Sequence, residues 1–204
     1  MPQTRESHPN RIVVALTGAS GAIYGIRLLE VLQKREDVEI HLILSHAGAA
    51  TISAETSYTP RDVEVLADMV HKPSSIGASI ASGSFRTAGM IIAPCSIKTL
   101  SGIAMSYAGE LVVRAADVTL KEGRPLILMV RESPLHLGHI RLMEAAAQAG
   151  AIIAPPMPAF YHNPATLDDI VMHSVTRVID RLGLPQSGSA EWQGLGVDLQ
   201  LRAP

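Results

Sequence analysis

The chain has 204 residues and a formal net charge of -2, and 47% of its residues are hydrophobic although only 3% are aromatic. This length fits one domain whose core is built from Ala, Val, Ile and Leu. The near-neutral charge gives no basic field for nucleic acid. No apolar stretch reaches the roughly 18 residues of a membrane span, and residues 1–10 lack a signal peptide's apolar core. With Cys95 as the single cysteine, which suits a reducing compartment, these features predict a cytoplasmic protein without a membrane partner.

Short apolar runs alternate with helical patterns along the chain. The predicted strands cover 12–16, 38–44, 89–93, 125–130 and 151–154. The predicted helices cover 22–34, a stretch opened by Ser45, 59–70, 97–105, 110–121, 141–148 and a final helix capped by Thr166 and Asp169. The Gly- and Ser-rich stretch 74–84 predicts a loop.

This alternation is typical of a doubly wound sheet with helices on both faces. We therefore predict an α/β fold of three layers, Rossmann-like, with a mostly parallel sheet. We expect one domain over residues 11–185, a flexible amino terminus over residues 1–10 and a carboxyl-terminal tail over residues 186–204.

The first strand-to-helix turn reads T-G-A-S-G-A-I-Y-G from Thr17 to Gly25. Small residues there leave backbone N–H groups exposed at a helix amino terminus, where they attract phosphate. The glycine spacing also fits nicotinamide enzymes. However, the second strand ends at Ser45, where dinucleotide binders usually place an acid, and the chain has no Tyr-x-x-x-Lys pair. The turn therefore favours a nucleotide with one phosphate, such as FMN, and a plain packing turn is the alternative.

A second turn, from Pro94 to Ser101, again joins a strand to a helix and offers hydroxyls that could complete a flavin or phosphate pocket. Cys95 lies in this turn, but no histidine lies close in sequence to activate it. A buried structural cysteine is therefore favoured over a nucleophile.

The strand 125–130 ends in two adjacent charged residues, Arg131 and Glu132. Open α/β sheets bind ligands at this edge, so the pair is either an anion site beside a proton donor or a surface ion pair. Arg114 and Lys121 lie seven residues apart on one helix face and add cations of the kind that bind phosphate. A solvated charged face would show the same pattern.

Other polar positions are open to two interpretations. Glu55 lies in an otherwise apolar helical stretch, so it is either exposed or functional. Tyr161 follows a strand end in A-F-Y-H-N-P and could reach a ligand phosphate. Asp117 is spaced to organise the two cations of its helix. His136 and His139 lack a third ligand at metal-binding spacing, so ordinary hydrogen-bonding histidines are favoured.

Seven segments, in this order and spacing, resemble the UbiX-type flavin prenyltransferases. They are T-G-A-S-G-A, S-A-E-T, S-G-S-F-R-T, A-P-C-S-x-K-T-L-S, R-A-A-D-V-x-L-K-E-x-R-P-L, V-R-E-x-P-L and P-A-F-Y-H-N-P. The match runs from about Arg11 to Leu184. It is closest to the branch that is associated with hydroxyaromatic acid decarboxylase systems and is also called phenylacrylic acid decarboxylase.

This resemblance implies a homododecameric, Rossmann-like flavoprotein that needs no metal. Such an enzyme joins a dimethylallyl group from dimethylallyl phosphate or diphosphate to N5 and C6 of reduced FMN. The product, prenylated FMN, is the cofactor of a separate UbiD-type decarboxylase.

The resemblance also assigns residues by matching motif. The residues expected to contact FMN are Gly18, Ala19, Ser20, Ser45, Ser96, Thr99 and Arg114. The residues expected to hold the prenyl phosphate are Ser82, Lys121, Arg131, Glu132, Tyr161 and Arg177. The expected proton-handling, catalytic residues are Ser20, Glu55 and Glu132.

Three positions depart from the family pattern or extend it. Glu110 stands where many relatives have Asn, which predicts a carboxylate near Arg114, and Ile76 falls about where some members have Trp over the site. Trp192 resembles a tail residue that in relatives covers a neighbouring protomer's site, and the Gly-rich sequence after Pro185 is equally compatible with a disordered tail. Two other functions stay open: a flavin-carrying assembly component without turnover, and a flavin-dependent cysteine decarboxylase, which the missing P-A-S-A-N-T segment disfavours.

Overall fold

The computed structural model describes residues 10–184, so the predicted amino terminus up to residue 9 and the predicted tail with Trp192 lie outside the described residues. The strands are β1 (Asn10–Leu16), β2 (Val38–Leu44), β3 (Met69–His71), β4 (Gly89–Cys95), β5 (Leu126–Val130) and β6 (Ile152–Ile153). The helices are α1 (Ala22–Gln33), α2 (His46–Glu55), α3 (Pro60–Glu64), α4 (Ile97–Ala104), α5 (Leu111–Lys121), α6 (Leu137–Gln148) and α7 (Leu167–Asp180).

The six strands form one sheet in the order β3-β2-β1-β4-β5-β6, and every described pair of neighbours is parallel. Strand order reverses between β1 and β4, which are neighbours in space but not in sequence. In such sheets the crevice at the carboxyl ends of these two strands is where ligands bind.

Two apolar clusters cover the two faces of the sheet, because the strands are buried on both sides and are rich in Val, Ile and Leu. On one face, α1 and α7 pack over the side chains of β1 and β2, with Ile26 and Val175 fully buried. On the other face, α4, α5 and α6 pack over β4 and β5, with Leu100 and Ala116 fully buried. The predicted three-layer, doubly wound α/β fold is confirmed. No helix described in residues 10–184 is long and apolar enough to cross a bilayer.

The predicted helix over residues 59–70 is wrong in its second half. Its start is correct, since Thr59 forms a capping box with Asp62, but α3 ends at Glu64. Residues Met69–His71 instead pair with β2 as the edge strand β3. The apolar spacing of this segment fits a helix, and the pairing energy of a neighbouring strand, which the local pattern does not contain, decides the outcome.

Two smaller differences concern loops and helix ends. The predicted loop 74–84 contains a short 3-10 helix, Ser79–Ala81. Helix α6 begins at Leu137, four residues before the predicted Arg141, because the His136 ring accepts a hydrogen bond from the Gly138 N–H at 2.9 Å and caps the helix. The interpretation as an ordinary hydrogen-bonding residue is confirmed for His136 but not for His139, whose Nδ1 is buried without a hydrogen-bond partner in the described part of the chain.

Candidate active site

A cavity of about 450 Å³ lies at the carboxyl ends of β1, β2 and β4, at the point where strand order reverses. Its walls are formed by Thr17, Gly18, Ser45, His46, Ala47, Pro73, Ser74, Ile76, Lys98, Thr99, Gly109 and Glu110. Three predicted flavin contacts, Gly18, Ser45 and Thr99, are therefore brought together. An adjoining cavity of about 640 Å³ shares the Lys98 and Glu110 side of this wall.

The Thr17 hydroxyl joins the carboxyl ends of β1 and β4. Its Oγ1 donates to the Pro94 carbonyl at 2.8 Å and accepts from the Ser96 N–H at 2.8 Å. Thr17 is 2% exposed, so these hydrogen bonds are protected from water. The first and second predicted ligand-binding turns thus form one continuous floor.

Ser45 and Ser96 hold the amino termini of two helices at this floor. The Ser45 hydroxyl accepts from the Gly48 N–H at 3.0 Å, and the Ser96 hydroxyl accepts from the Thr99 N–H at 3.3 Å. Both serines are N-caps, so the positive ends of the α2 and α4 dipoles point to the carboxyl edge of the sheet. This arrangement favours an anionic or electron-rich ligand.

The glycine in the first turn keeps that turn against α2. A Cβ atom added at Gly18 would overlap the Cβ of Ala47 in the first turn of α2. Only glycine allows this close backbone approach, which shapes the narrow side of the cavity. The close approach at Gly18, the backbone N–H groups and the hydroxyls together fit the edge of a flavin or a single phosphate.

Glu55, at the end of α2, caps a different helix. Its Oε2 accepts from the N–H of Gly21 at 2.7 Å and from that of Ala22 at 3.3 Å. Helix α1 needs this external cap because its own N-cap is Gly21, which has no side chain. From the sequence, Glu55 was either exposed or functional. In the structure its carboxylate is hydrogen-bonded to the end of the first predicted ligand-binding turn.

The local environment keeps Glu55 ionised. Burial acts to raise the pKa of this carboxyl, but hydrogen bonds from Ser20, Gly21 and Ala22, with the Arg131 charge, outweigh it and lower the pKa below 4.5. The predicted proton-handling residues Ser20 and Glu55 are therefore in contact, and Arg131 lies close enough to act on them.

Arg131 and Glu132 follow β5 at the same edge of the sheet. The Arg131 N–H donates to the Cys95 carbonyl at 3.1 Å, which fixes the backbone beside the second turn. Both side chains are exposed, and Glu132 accepts from the Ser133 N–H at 3.0 Å. Among residues 10–184, no ion pair joins Arg131 to Glu132. The alternative of a simple surface ion pair between these two residues is therefore wrong.

Two predicted phosphate ligands lie at the opposite edge of the sheet. Lys121 ends α5 and forms a 2.6 Å ion pair with Glu122, and Gly83 lies against both side chains. Ser82, hydrogen-bonded to Ser84 at 2.9 Å, precedes that glycine. These segments lead into the amino ends of β4 and β5, whereas Arg131 follows the carboxyl end of β5. A strand of five residues separates the two edges by about 17 Å.

Arg114 lies on α5 and is not among the residues that line the 450 Å³ cavity. Its Nη1 forms a 3.1 Å ion pair with Asp117. Asp117 therefore orients Arg114, as predicted, but Lys121 pairs with Glu122 instead. Glu110 lies one helical turn before Arg114, whose N–H donates to its carbonyl at 3.0 Å, and the Glu110 carboxylate forms a 2.8 Å ion pair with Lys98 at the cavity wall.

Tyr161 and Arg177 are linked through α7. The Tyr161 hydroxyl and His173 Nε2 are 2.7 Å apart. Arg177 lies one helical turn after His173, close enough for its charge to act on the histidine. The structure therefore brings two predicted phosphate ligands to one face of α7.

Cys95 is fully buried, and burial raises the pKa of its thiol to about 12. A thiol with such a pKa is not a nucleophile near neutral pH. The structural interpretation of this cysteine is supported.

Two residues of this region were missed by the sequence analysis. Thr17 was treated only as part of a turn, although a hydroxyl at the end of a buried strand is a recognisable signal. His173 was not singled out, although it lies four residues before Arg177 and therefore on the same helix face.

The fold and the helix amino termini around this cavity define a flavoprotein, and comparison with known proteins agrees. Residues 1–178 match the family described as Flavoprotein. The chain is 57% identical over 186 residues to the flavin prenyltransferase UbiX of Escherichia coli strain K12, covering 90% of this chain and 98% of that protein. It is 58% identical over 184 residues to the flavin prenyltransferase UbiX of Thauera aromatica, covering 90% and 94%. The chain belongs to the UbiX flavin prenyltransferase family.

Solved structures agree with this assignment. AnUbiX (PadA1), in complex with FMN and dimethylallyl pyrophosphate, superimposes with a TM-score of 0.89 at 45% identity over 92% of this chain and 99% of that one. A dodecameric FMN-dependent UbiX-like decarboxylase from Escherichia coli O157:H7 superimposes with a TM-score of 0.88 at 51% identity, covering 90% and 100%. The cysteine decarboxylase TvaF, at 14% identity and a TM-score of 0.58, shares the fold alone.

Proposed function

We propose that this protein is a flavin prenyltransferase that joins a dimethylallyl group from dimethylallyl phosphate or diphosphate to N5 and C6 of reduced FMN. One observation carries the proposal: the cavity between the α2 and α4 amino termini opens at the same sheet edge as Arg131 and Glu132. An electron-rich ring system and a phosphorylated donor can therefore lie side by side. Reduced flavin supplies the nucleophilic nitrogen and carbon.

In the proposed site, FMN is held by the floor of the cavity. Gly18, Ala19 and Ser20 would form one wall of the flavin site, and Ser45, Ser96 and Thr99 the other, at the amino termini of α2 and α4 that the two serines cap. Arg114 is assigned to FMN by family resemblance. It lies one helical turn beyond Glu110, outside the cavity wall of its own chain.

The donor phosphate is assigned to Arg131, Tyr161 and Arg177, with Lys121 and Ser82. Breaking the allylic C–O bond leaves its electron pair on phosphate, and cations near that oxygen stabilise the transition state more than the ground state. Since Lys121 and Ser82 lie at the far edge of their own sheet, we propose that they serve the site of a neighbouring copy. The dodecameric assembly of the UbiX-like relative supports this arrangement.

Glu132 is assigned to proton transfer. It lies next to Arg131, so it can protonate the leaving phosphate or accept the proton that the flavin loses when the new ring closes. Glu55 is a less suitable acid, because its lowered pKa and its two backbone hydrogen bonds keep it as a carboxylate. Glu55 would then orient Ser20 on the flavin turn.

The product's use and the protein's location complete the proposal. We propose that prenylated FMN passes to a separate UbiD-type decarboxylase and that the reaction takes place in the cytoplasm, where the single Cys95 stays reduced. Residues 11–185 would form the flavin-binding domain, and residues 186–204 a tail outside it.

The direct test mixes purified protein with reduced FMN and either dimethylallyl phosphate or the diphosphate, followed by mass spectrometry of the flavin. We expect the flavin to gain one C5 unit with at least one donor. Bound FMN that stays unchanged with both donors, together with stable association with a decarboxylase, would instead identify a flavin-carrying assembly component.

A further inference from the structure

The Tyr161 side chain lies within a group of aromatic and basic residues on α7 and the loop before it. The rings of His162 and His173 are stacked, with centroids 4.5 Å apart and an interplanar angle of 9°. Tyr161 meets His173 edge-on, with centroids 5.5 Å apart. The position of the His173 ring is thus fixed by stacking on one side and by the tyrosine at its Nε2 atom.

The protonation state of His173 determines whether its Nε2 atom donates a hydrogen bond to Tyr161 or accepts one. Burial lowers the pKa of His173 below 6.5, and the charges of His162 and Arg177 lower it further. His173 is therefore neutral near pH 7, with one nitrogen protonated. The hydrogen bond of 2.7 Å to the Tyr161 hydroxyl can then run in either direction, depending on the tautomer.

We propose that His173 is a positioning residue for the donor phosphate: its Nε2–H donates to Tyr161 Oη and thereby directs the tyrosine O–H proton towards a phosphate oxygen. In the opposite direction the tyrosine would give its only proton to the imidazole and would offer an anion nothing but lone pairs. The inference rests on the proposed function, in which Tyr161 and Arg177 hold the donor phosphate. His173 lies between these two residues, and in the proposal it acts on the phosphate only through Tyr161.

The test compares His173→Phe with His173→Gln, measured by prenyl transfer and by inhibition with inorganic phosphate. Phe keeps a ring for stacking on His162 but removes both nitrogens, whereas Gln keeps an N–H donor. We expect Phe to raise the KM for dimethylallyl phosphate and the inhibition constant of phosphate about five- to tenfold, as expected for one lost hydrogen bond to a charged group. We expect kcat to change less and Gln to restore much of the loss. FMN binding, followed by flavin fluorescence, should stay unchanged in both variants.

Tyr161→Phe gives the decisive control. If His173 acts through the tyrosine hydroxyl, His173→Phe adds no further loss in the Tyr161→Phe background. The proposal would be overturned if the effects of the two substitutions on KM were additive. It would also be overturned if His173→Phe weakened FMN binding by the same factor as it raised KM. Phosphate binding to the protein, measured directly by calorimetry, keeps the two hypotheses separate. If His173→Phe weakens phosphate binding but the wild-type protein transfers no C5 unit, the proposed function is overturned and this inference is not.

Discussion

The two edges of the sheet differ in how their cations are paired. At the amino edge three cations have partners close by: Lys121 pairs with Glu122, Arg124 donates to the Gly83 carbonyl at 2.7 Å, and Arg11 pairs with Glu39 at 3.1 Å. At the carboxyl edge, Arg131 has no ion pair with any carboxylate of residues 10–184. These three cations are thus held within the chain, whereas Arg131 makes no direct ion pair in the described part of the chain and interacts only at longer range with the Glu55 carboxylate.

This difference indicates how much of the site one chain can build. The floor of the cavity is formed by hydrogen bonds within one chain, from Thr17 at the end of β1 to Pro94 and Ser96 at the end of β4. The anion site has Arg131 but not Lys121, because about 17 Å of strand lies between them. We propose that Lys121 is supplied by another copy, and the first prediction tests this.

The largest effect is expected from changing either of two residues that the proposed shared site takes from different copies, Lys121 and Glu132. Lys121→Met removes a cation, and Glu132→Gln removes the proton-transfer group, so each should slow prenyl transfer about 100-fold or more while FMN still binds. When the two variants are unfolded, mixed and refolded together, sites that combine an intact Glu132 with an intact neighbouring Lys121 should return. With random assembly this restores about a quarter of the wild-type rate.

The outcome of the mixing experiment separates the two arrangements. If each chain supplied both residues to its own site, no mixed assembly would contain an intact site and the rate would stay low. Lys34→Met is the matched control, since Lys34 is an exposed lysine at the end of α1. It should leave the rate unchanged.

A smaller effect is expected from filling the floor of the carboxyl edge. Gly18→Val places a side chain where Ala47 already lies, so the first turn of α2 must move away. We expect FMN affinity to fall about 10- to 100-fold, in line with the cost of overpacking. Fluorescence titration with FMN measures this. Gly77→Ala, at a position with open space around the added methyl group, should change the affinity less than about twofold. Equal effects of both variants would contradict the proposed floor.

The smallest effect concerns the cap that Glu55 provides. Because the pKa of Glu55 is lowered in the folded protein, the unfolded chain binds more protons in acid, and the stabilisation is complete above the usual pKa and lost as the pH falls through the folded one. Glu55→Gln should therefore lower the Tm by about 2 to 4 °C at pH 7. The difference between wild type and variant should shrink and disappear as the pH falls through the lowered pKa of Glu55.

Thermal unfolding at several pH values provides the measurement. Glu36→Gln removes the same charge at an exposed position between α1 and β2, and it should show no such pH-dependent difference. A Glu55→Gln deficit that persists unchanged in acid would mean that packing, and not the charge of the carboxylate, holds the turn.

Much of the fold was predictable because its signals are local. Each buried strand is a short apolar run, and the rule that parallel strands bind ligands at their carboxyl ends placed Ser45, Ser96 and Arg131 at one edge. The strand Met69–His71 was not predictable in this way, because it exists only through pairing with β2. The grouping of Lys121 with Arg131 came from family resemblance, and a motif does not record which copy of the chain supplies a residue.

The Thr17 hydroxyl has a consequence for the rate at which flavin is captured. Two hydrogen bonds of 2.8 Å, both made within the chain, set the spacing of the strand ends. Entry of FMN therefore requires no separation of β1 from β4, and its association rate should depend on diffusion and orientation alone. In stopped-flow mixing, that rate would rise linearly with flavin concentration and show no plateau from a slow opening step.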